Sequence, residues 1–308
     1  MTKLKYPLLS CLLIFLVSCG GGGESSSSSS TSSSTTPTSA ISLATPVGTA
    51  CSSSFSNTDA FGNIQFQPSV GNTTWGCLVV DQANSQPIVS GTQSVRFEMR
   101  PGDCDPTQTY ISGSDTAASD CTTDRGRYEI YQKSGGSTEG QIITYNYFIY
   151  IPGQSFQPPP KSGGSSTPLT VLTQINWQCK GTPCPSLGSN GYGSLFYLKI
   201  DYTGTLSLQT HQGFTWNANQ VVTVDSSPWN KWIKLTYVIK STAASNGYIQ
   251  AYANDKLLIN ETRATLPNAN STAALKVGIY DAYLSGSSQT WPTQVVYFDG
   301  FSTSVANF

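Results

Sequence analysis

Short runs in which apolar and polar residues alternate recur along most of the chain. They are rich in Val, Ile, Tyr, Phe and Thr, and clusters of Gly, Pro, Asn and Ser separate them. A period of two places successive side chains on opposite faces of a strand, so each run predicts a β-strand. The predicted strands are residues 95–100, 126–131, 142–151, 170–177, 194–201, 205–210, 231–240, 247–254, 257–261, 274–281 and 294–301.

Helical periodicity is nearly absent, which predicts an all-β fold. Strands this numerous in one domain are expected to form a jelly-roll β-sandwich of two antiparallel sheets. Turn residues place two hairpins, one at residues 201–204 and one at residues 253–255.

The N-terminus predicts a signal peptide of a bacterial lipoprotein at residues 1–18. A basic start precedes an apolar stretch, residues 8–17, which is too short to span a bilayer permanently. The stretch ends in Leu16-Val17-Ser18-Cys19, which resembles a lipobox, so we expect Cys19 to be lipidated. Gly20 after it indicates the outer membrane, on either its periplasmic or its surface side. Residues 19–45 predict a flexible Gly/Ser/Thr tether, and residues 46–308 the folded domain.

The charge balance argues against a nucleic-acid partner. The formal net charge is −1 and charged residues make up only 11% of the chain, whereas Tyr, Trp, Asn, Gln, Ser and Thr are plentiful. This composition suits an exported β-protein that handles sugars. We expect a monomer that touches the membrane only through its lipid.

The cysteines predict disulfides rather than a metal site. Of the eight cysteines, Cys11 lies in the signal peptide and Cys19 carries the lipid, which leaves an even number in an exported chain. Several connectivities remain open, and sequential pairing is the simplest: Cys51–Cys77, Cys104–Cys121 and Cys179–Cys184. Zinc-type spacing is absent and the chain has one histidine, so no metal or cofactor is indicated. Structural calcium stays open.

Three stretches inside predicted strands carry the candidate chemistry. They are Arg127-Tyr128-Glu129, Gln174-Ile175-Asn176 and Lys276-Val277-Gly278-Ile279-Tyr280. Alternation would place Arg, Gln, Asn, Lys and Tyr on one face of a sheet. That set of hydrogen-bond donors suits an acidic sugar.

The order of these stretches resembles a known group of enzymes. Residues 95–103 (VRFEMRPGD), the three stretches in turn, and the closing run of residues 296–300 (VYFDG) follow one order. It is similar to that of the concanavalin A-like jelly-roll polysaccharide lyases related to heparin lyase I, glucuronan lyase and the alginate lyases. The resemblance spans about residues 90–303 and implies β-elimination on a uronic-acid polymer.

The resemblance implies a role for each site residue. Arg127, Gln174 and Asn176 would neutralise the uronate carboxylate, and Tyr280 would protonate the departing glycosidic oxygen. As a phenolate, Tyr280 would also remove the C5 proton, with Lys276 nearby to stabilise its charge. Glu129 would orient Arg127 through an ion pair.

Asn176 departs from the pattern of the group, which usually has histidine there. Asn cannot accept a proton, so a base at this position is excluded. If Tyr280 serves as both base and acid, elimination is syn, which mannuronate and glucuronate permit. The alternative is a sugar-binding lipoprotein without activity. His211, the one histidine, is a candidate substrate-binding residue, although its place after a predicted strand favours an exposed loop.

A glycoside hydrolase on the same fold is a third hypothesis. It needs two carboxylates about 5–10 Å apart. Glu98 and Glu129 lie on separate predicted strands and lack the spacing of sandwich-fold glucanases. The sequence therefore favours elimination over hydrolysis.

Overall fold

The alternation in the sequence becomes a set of antiparallel strands in the computed structural model. In the strand Trp232–Ser241 every second side chain is buried, and Gln141–Tyr150 alternates in the same way from Ile142 onward. The structure describes residues 47–51, 64–68, 74–103, 124–132, 136–161, 167–180, 192–215, 217–284 and 291–308.

Sixteen strands are described, which we number in chain order. They are β1 (Thr49–Ala50), β2 (Ile64–Pro68), β3 (Cys77–Asp81), β4 (Gln93–Met99), β5 (Arg125–Gln132), β6 (Ser137–Thr138), β7 (Gln141–Tyr150), β8 (Leu169–Gln178), β9 (Tyr192–Ile200), β10 (Leu206–His211), β11 (Ala218–Asp225), β12 (Trp232–Ser241), β13 (Tyr248–Ala253), β14 (Lys256–Thr262), β15 (Thr272–Ala282) and β16 (Gln294–Asn307).

The strands form two antiparallel sheets. The first has the order β1-β3-β4-β16-β7-β12-β13-β14. The second has the order β11-β10-β9-β8-β15-β5-β2, and β6 also pairs with β15. Neighbours such as β8 and β15 are far apart in the chain, as the crossing connections of a jelly roll require.

The core lies between the two sheets. The ring of Phe196 on β9 packs edge-on against that of Tyr237 on β12, with centroids 4.6 Å apart. The Tyr147 hydroxyl on β7 donates to Thr173 Oγ1 on β8 at 2.8 Å. Contacts of this kind join opposite sheets, so the predicted jelly-roll β-sandwich is confirmed.

The eleven strands predicted from the alternation are all present, while five shorter or more polar ones were missed. The missed strands are β1, β2, β3, β6 and β11. β11 has mostly exposed residues and no buried face, so alternation gives no signal for it. Both predicted turns are present: Gly204 has φ +81°, and Asn254 and Asp255 have φ +47° and +64°.

One predicted disulfide is present in full. Cys51 and Cys77 are bonded and tie the segment after β1 to β3. Cys179 is also disulfide-bonded, and its predicted partner, Cys184, lies outside the described residues. So do Cys104, Cys121, the signal peptide, Cys19 and the tether.

Helices contribute little to the described part of the chain. None there is long and apolar enough to cross a membrane. The described residues belong to one compact unit, Leu43–Phe308.

Candidate functional site

The outer face of the second sheet carries polar side chains from three neighbouring strands, β5, β15 and β8. Their alternating neighbours, such as Tyr128, Ile175, Val277 and Ile279, belong to the core. The order β8-β15-β5 therefore brings the three predicted stretches together, although they are far apart in the chain. The residues on this outer face are Arg127, Glu129, Gln174, Asn176, Lys276 and Tyr280.

Glu129 is the centre of the cluster. Its Oε1 accepts a hydrogen bond from Gln174 Nε2 at 2.6 Å. Its Oε2 lies 3.4 Å from Arg127 Nη1 and 3.8 Å from Lys276 Nζ. The Glu129 side chain is only 1% exposed, so it holds a carboxamide and two cations from three strands without being open to solvent. The expected ion pair with Arg127 is thus present, but Gln174 makes the shortest contact.

Tyr280 lies beside this cluster, directly opposite Arg127 in the pairing of β15 with β5. The Arg127 Cζ is 4.8 Å from the centre of the Tyr280 ring, a cation–π contact. The guanidinium therefore touches both the Glu129 carboxylate and the tyrosine ring.

A register shift between β15 and β8 precedes Tyr280. Val277 lies opposite Thr173 and Tyr280 opposite Val171, so Gly278 and Ile279 together face one residue. Gly278 has φ +145°, and a Cβ there would lie 2.2 Å from the Tyr128 carbonyl oxygen. Only glycine fits this close approach of β15 to β5.

Asn176 lies on the same face, opposite Ala274 on β15 and Ser194 on β9. Its Oδ1 is buried and has no hydrogen-bond partner within the described part of the chain. A buried acceptor or donor without a partner is unusual in a folded protein. Trp177 points the other way and is fully buried, as the alternation predicts.

His211 is not exposed; that expectation was wrong. It is the last residue of β10, is 1% exposed, and packs edge-on against Tyr197 with ring centroids 4.9 Å apart. The unpredicted strand β11 pairs with it through Ala218, which explains the error. Its Nδ1 lies 2.7 Å from the Ser194 carbonyl oxygen and, since that oxygen only accepts, Nδ1 carries the proton. Burial lowers the pKa of the His211 imidazole.

A family model described as polysaccharide lyase matches residues 61–302, most of the chain. The chain belongs to the polysaccharide lyase family. It is therefore an enzyme of the lyase class that acts on polysaccharides, and its family fits the outer-face cluster of basic, amide and tyrosine side chains.

Solved structures of similar fold include other lyases. An endo-β-1,4-glucuronan lyase from the fungus Trichoderma reesei has 17% identity over 74% of this chain and 87% of its own, with a TM-score of 0.49. A marine alginate lyase from Zobellia galactanivorans has 14% identity over 69% of this chain and 78% of its own, with a TM-score of 0.45. No curated protein matches the chain.

The lyase has further outer-face residues on β9 and β10 that the sequence reasoning missed. Tyr197 lies directly opposite Gln174, and Gln209 lies opposite Tyr197 on the next strand. Lys199 lies two residues beyond Tyr197 on the same face. The alternation of Phe196, Leu198 and Ile200 with these polar residues was the available signal.

The carboxylate pair considered for hydrolysis does not come together in this lyase. Glu98 lies on β4 of the first sheet, where Arg96 and Arg100 contact its carboxylate. Glu129 lies on the outer face of the second sheet. The two side chains point outward from opposite sheets, because their strand neighbours Phe97 and Tyr128 face the core between the sheets, so these residues cannot flank one glycosidic bond.

Proposed function

We propose that this lyase cleaves a uronic-acid polymer by β-elimination on the outer face of the second sheet. The observation that carries the proposal is the contact of Arg127 with both the Glu129 carboxylate and the Tyr280 ring. It holds an anion-binding guanidinium beside a phenol that can exchange a proton with a sugar, whereas the Glu129 carboxylate is buried against Arg127, Gln174 and Lys276.

The first step is neutralisation of the substrate carboxylate. Removal of the C5 proton pushes charge onto that carboxylate, so donors must be in place before the reaction begins. Arg127 supplies charged N–H groups, and the amides of Gln174 and Asn176 supply neutral ones. The buried Oδ1 of Asn176, which lacks a partner within the described part of the chain, is an acceptor and suits a sugar hydroxyl rather than the carboxylate.

The second step is proton transfer through Tyr280. The Tyr280 phenolate removes the C5 proton, the C5–H electron pair forms the C4–C5 double bond, and the bond from C4 to the glycosidic oxygen breaks. The phenol then returns the proton to the departing oxygen. Lys276 and Arg127 lie on the same face and would stabilise the phenolate. Atoms and charges balance with no further reactant.

Asn176 restricts the substrate. It cannot act as a base, and Tyr280 therefore handles both proton transfers from one side of the ring. That geometry is syn-elimination, which mannuronate and glucuronate permit and guluronate, iduronate and galacturonate do not. We therefore assign the lyase to a mannuronate- or glucuronate-type polymer.

The test is Tyr280→Phe, with Tyr252→Phe on the first sheet as a matched control. Ultraviolet absorbance of unsaturated ends is followed on polymannuronate, polyguluronate and glucuronan, and polymer binding is measured in parallel. We expect Tyr280→Phe to lose at least about 10²-fold in kcat while it still binds polymer, and Tyr252→Phe to behave as wild type. Full activity of Tyr280→Phe would refute the role of Tyr280.

The choice of polymer tests the stereochemistry separately. Wild-type cleavage of polyguluronate without cleavage of polymannuronate or glucuronan would refute syn-elimination. Binding without cleavage of any of the three polymers would favour the non-catalytic alternative.

We also propose that Cys19 carries a lipid that anchors the lyase in the outer membrane. The lipobox-like residues 16–19 and the tether of residues 19–45 support this proposal. Replacement of Cys19 by Ala should move the protein from the membrane to the soluble fraction. Retention in the membrane fraction would contradict it.

A further inference from the structure

Lys199 is a half-buried cation on the outer face of the second sheet, outside the cluster around Glu129. Its Nζ donates to Gln209 Oε1 at 2.7 Å and lies 5.8 Å from the centre of the Tyr197 ring. Both partners are neutral. The described residues form no ion pair with Lys199, whereas Lys276 has Glu129.

Asp201, the acid whose charge acts on Lys199, accepts hydrogen bonds within a turn. Its Oδ1 accepts hydrogen bonds from the backbone N–H groups of Thr203 and Thr205 and from the Thr203 hydroxyl. Burial lowers the pKa of the Lys199 ammonium, and Asp201 offsets this only in part. A partly desolvated charge without a counter-ion is unfavourable for the fold alone. An anion that arrives from outside would supply the missing counter-ion.

Lys199 is also in line with Tyr280. Val171 on β8 lies directly opposite Tyr280 on one side and Lys199 on the other. Two strand spacings, or about 10 Å, therefore separate the backbones of the tyrosine and the lysine. The same strands pair Gln174 with Tyr197, so polar side chains of the outer face extend from the cluster around Glu129 to Tyr197 and Lys199.

We propose that Lys199, with Gln209 and Tyr197, binds the carboxylate of another uronate of the same polymer, on the β10 side of the one that Arg127 holds. This inference rests on the proposed function, since every residue of a polyuronate carries a carboxylate. The polymer then lies across β15, β8, β9 and β10 rather than along one strand. The Tyr197 ring packs edge-on against His211. A face of this ring can stack on the sugar ring of the uronate that Lys199 binds.

The experiment compares wild type with Lys199→Met, Lys199→Arg and the control Lys256→Met. Lys256 is an exposed lysine on β14 of the other sheet, so its replacement removes the same charge elsewhere. For Lys199→Met we expect about a tenfold rise in KM on polymannuronate and glucuronan, the loss of one charged hydrogen bond. Its kcat should stay within about twofold of wild type, and raised salt should shrink the difference in KM.

A melting curve separates a binding role from a structural one. Removal of an uncompensated, partly buried charge should leave Tm unchanged or raise it, whereas removal of a structural contact should lower it. Lys199→Arg should keep most of the affinity, and Lys256→Met should match wild type. Unchanged KM in Lys199→Met, or a lower Tm with parallel losses in kcat, would overturn the inference.

The same measurements distinguish failure of the proposed lyase function from failure of the Lys199 carboxylate position. If wild type cleaves a polymer and Lys199→Met has the same KM, the lyase assignment stands and the second carboxylate position falls. If wild type cleaves none, equilibrium binding of polymannuronate and glucuronan decides. Weaker binding by Lys199→Met supports the anion position, and equal or absent binding overturns it.

Discussion

Gly278→Ala should disturb the site although the glycine itself has no side chain to offer substrate. The new Cβ would lie 2.2 Å from the Tyr128 carbonyl oxygen and 2.8 Å from the Glu129 Cα. Both contacts are with backbone, so a side-chain rotation cannot relieve them. β15 must therefore move away from β5 at Gly278, which lies opposite Glu129 and two residues before Tyr280.

Two effects set the expected loss in the free energy of unfolding of Gly278→Ala. The φ of +145° is strained for any residue with a Cβ, by about 1–3 kcal/mol. The overlap with β5 adds about 1–3 kcal/mol, typical of overpacking. We therefore expect a loss of about 2–6 kcal/mol in the free energy of unfolding, or roughly 2–4 °C in Tm for each kcal/mol.

Catalysis should fall further than stability explains. Tyr280 follows Gly278 by two residues and Arg127 lies directly opposite Tyr280, so a shift of β15 alters the distance between ring and guanidinium. A misplacement of about 1 Å can reduce turnover on the order of 10²-fold. The assay measures kcat well below the variant's Tm, where the folded fraction is checked by circular dichroism.

Gly213→Ala is the matched control. Gly213 also has a positive φ, +57°, but a Cβ there would meet nothing within 4 Å. It should show only the conformational penalty, about 1 kcal/mol, with normal kcat. If Gly278→Ala is as stable and as active as Gly213→Ala, the close approach of β15 to β5 does not position Tyr280.

Three further predictions concern buried groups. Glu129→Gln keeps the shape but removes the charge between two cations, so we expect about 3 kcal/mol less stability in urea and a lower kcat/KM; unchanged stability would contradict this. Burial raises the pKa of the Asp281 carboxyl from 3.8 to about 8. Its proton is held more tightly in the fold, so stability falls as the pH rises from about 4 to about 8. Asp281→Asn should accordingly raise Tm most above pH 8 and least near pH 4, and an equal shift at both would refute the linkage. Replacing Cys51 and Cys77 by Ala should remove about 3 kcal/mol of stability with kcat/KM unchanged, since the bond lies at the first sheet; a loss of kcat/KM would show that the two sheets are coupled.

The alternation of apolar and polar residues carries most of the fold. A buried strand face has a period of two in the sequence, so β7 and β12 could be read directly, together with the polar residues opposite their core faces. β11 could not, because a strand with no buried face leaves no such pattern. That omission also misplaced His211, which β11 helps to bury.

The sequence alone determined the candidate site residues: the basic, amide and tyrosine side chains of three stretches, and an asparagine that cannot act as a base. The order of strands in the second sheet was decided only by tertiary structure, because hydrogen bonds between β8 and β15 join segments far apart in the chain. That order makes Glu129 the shared partner of Arg127, Gln174 and Lys276. It also brings Lys199 into line with Tyr280, since cross-strand neighbours are set by register between strands and not by distance along the chain.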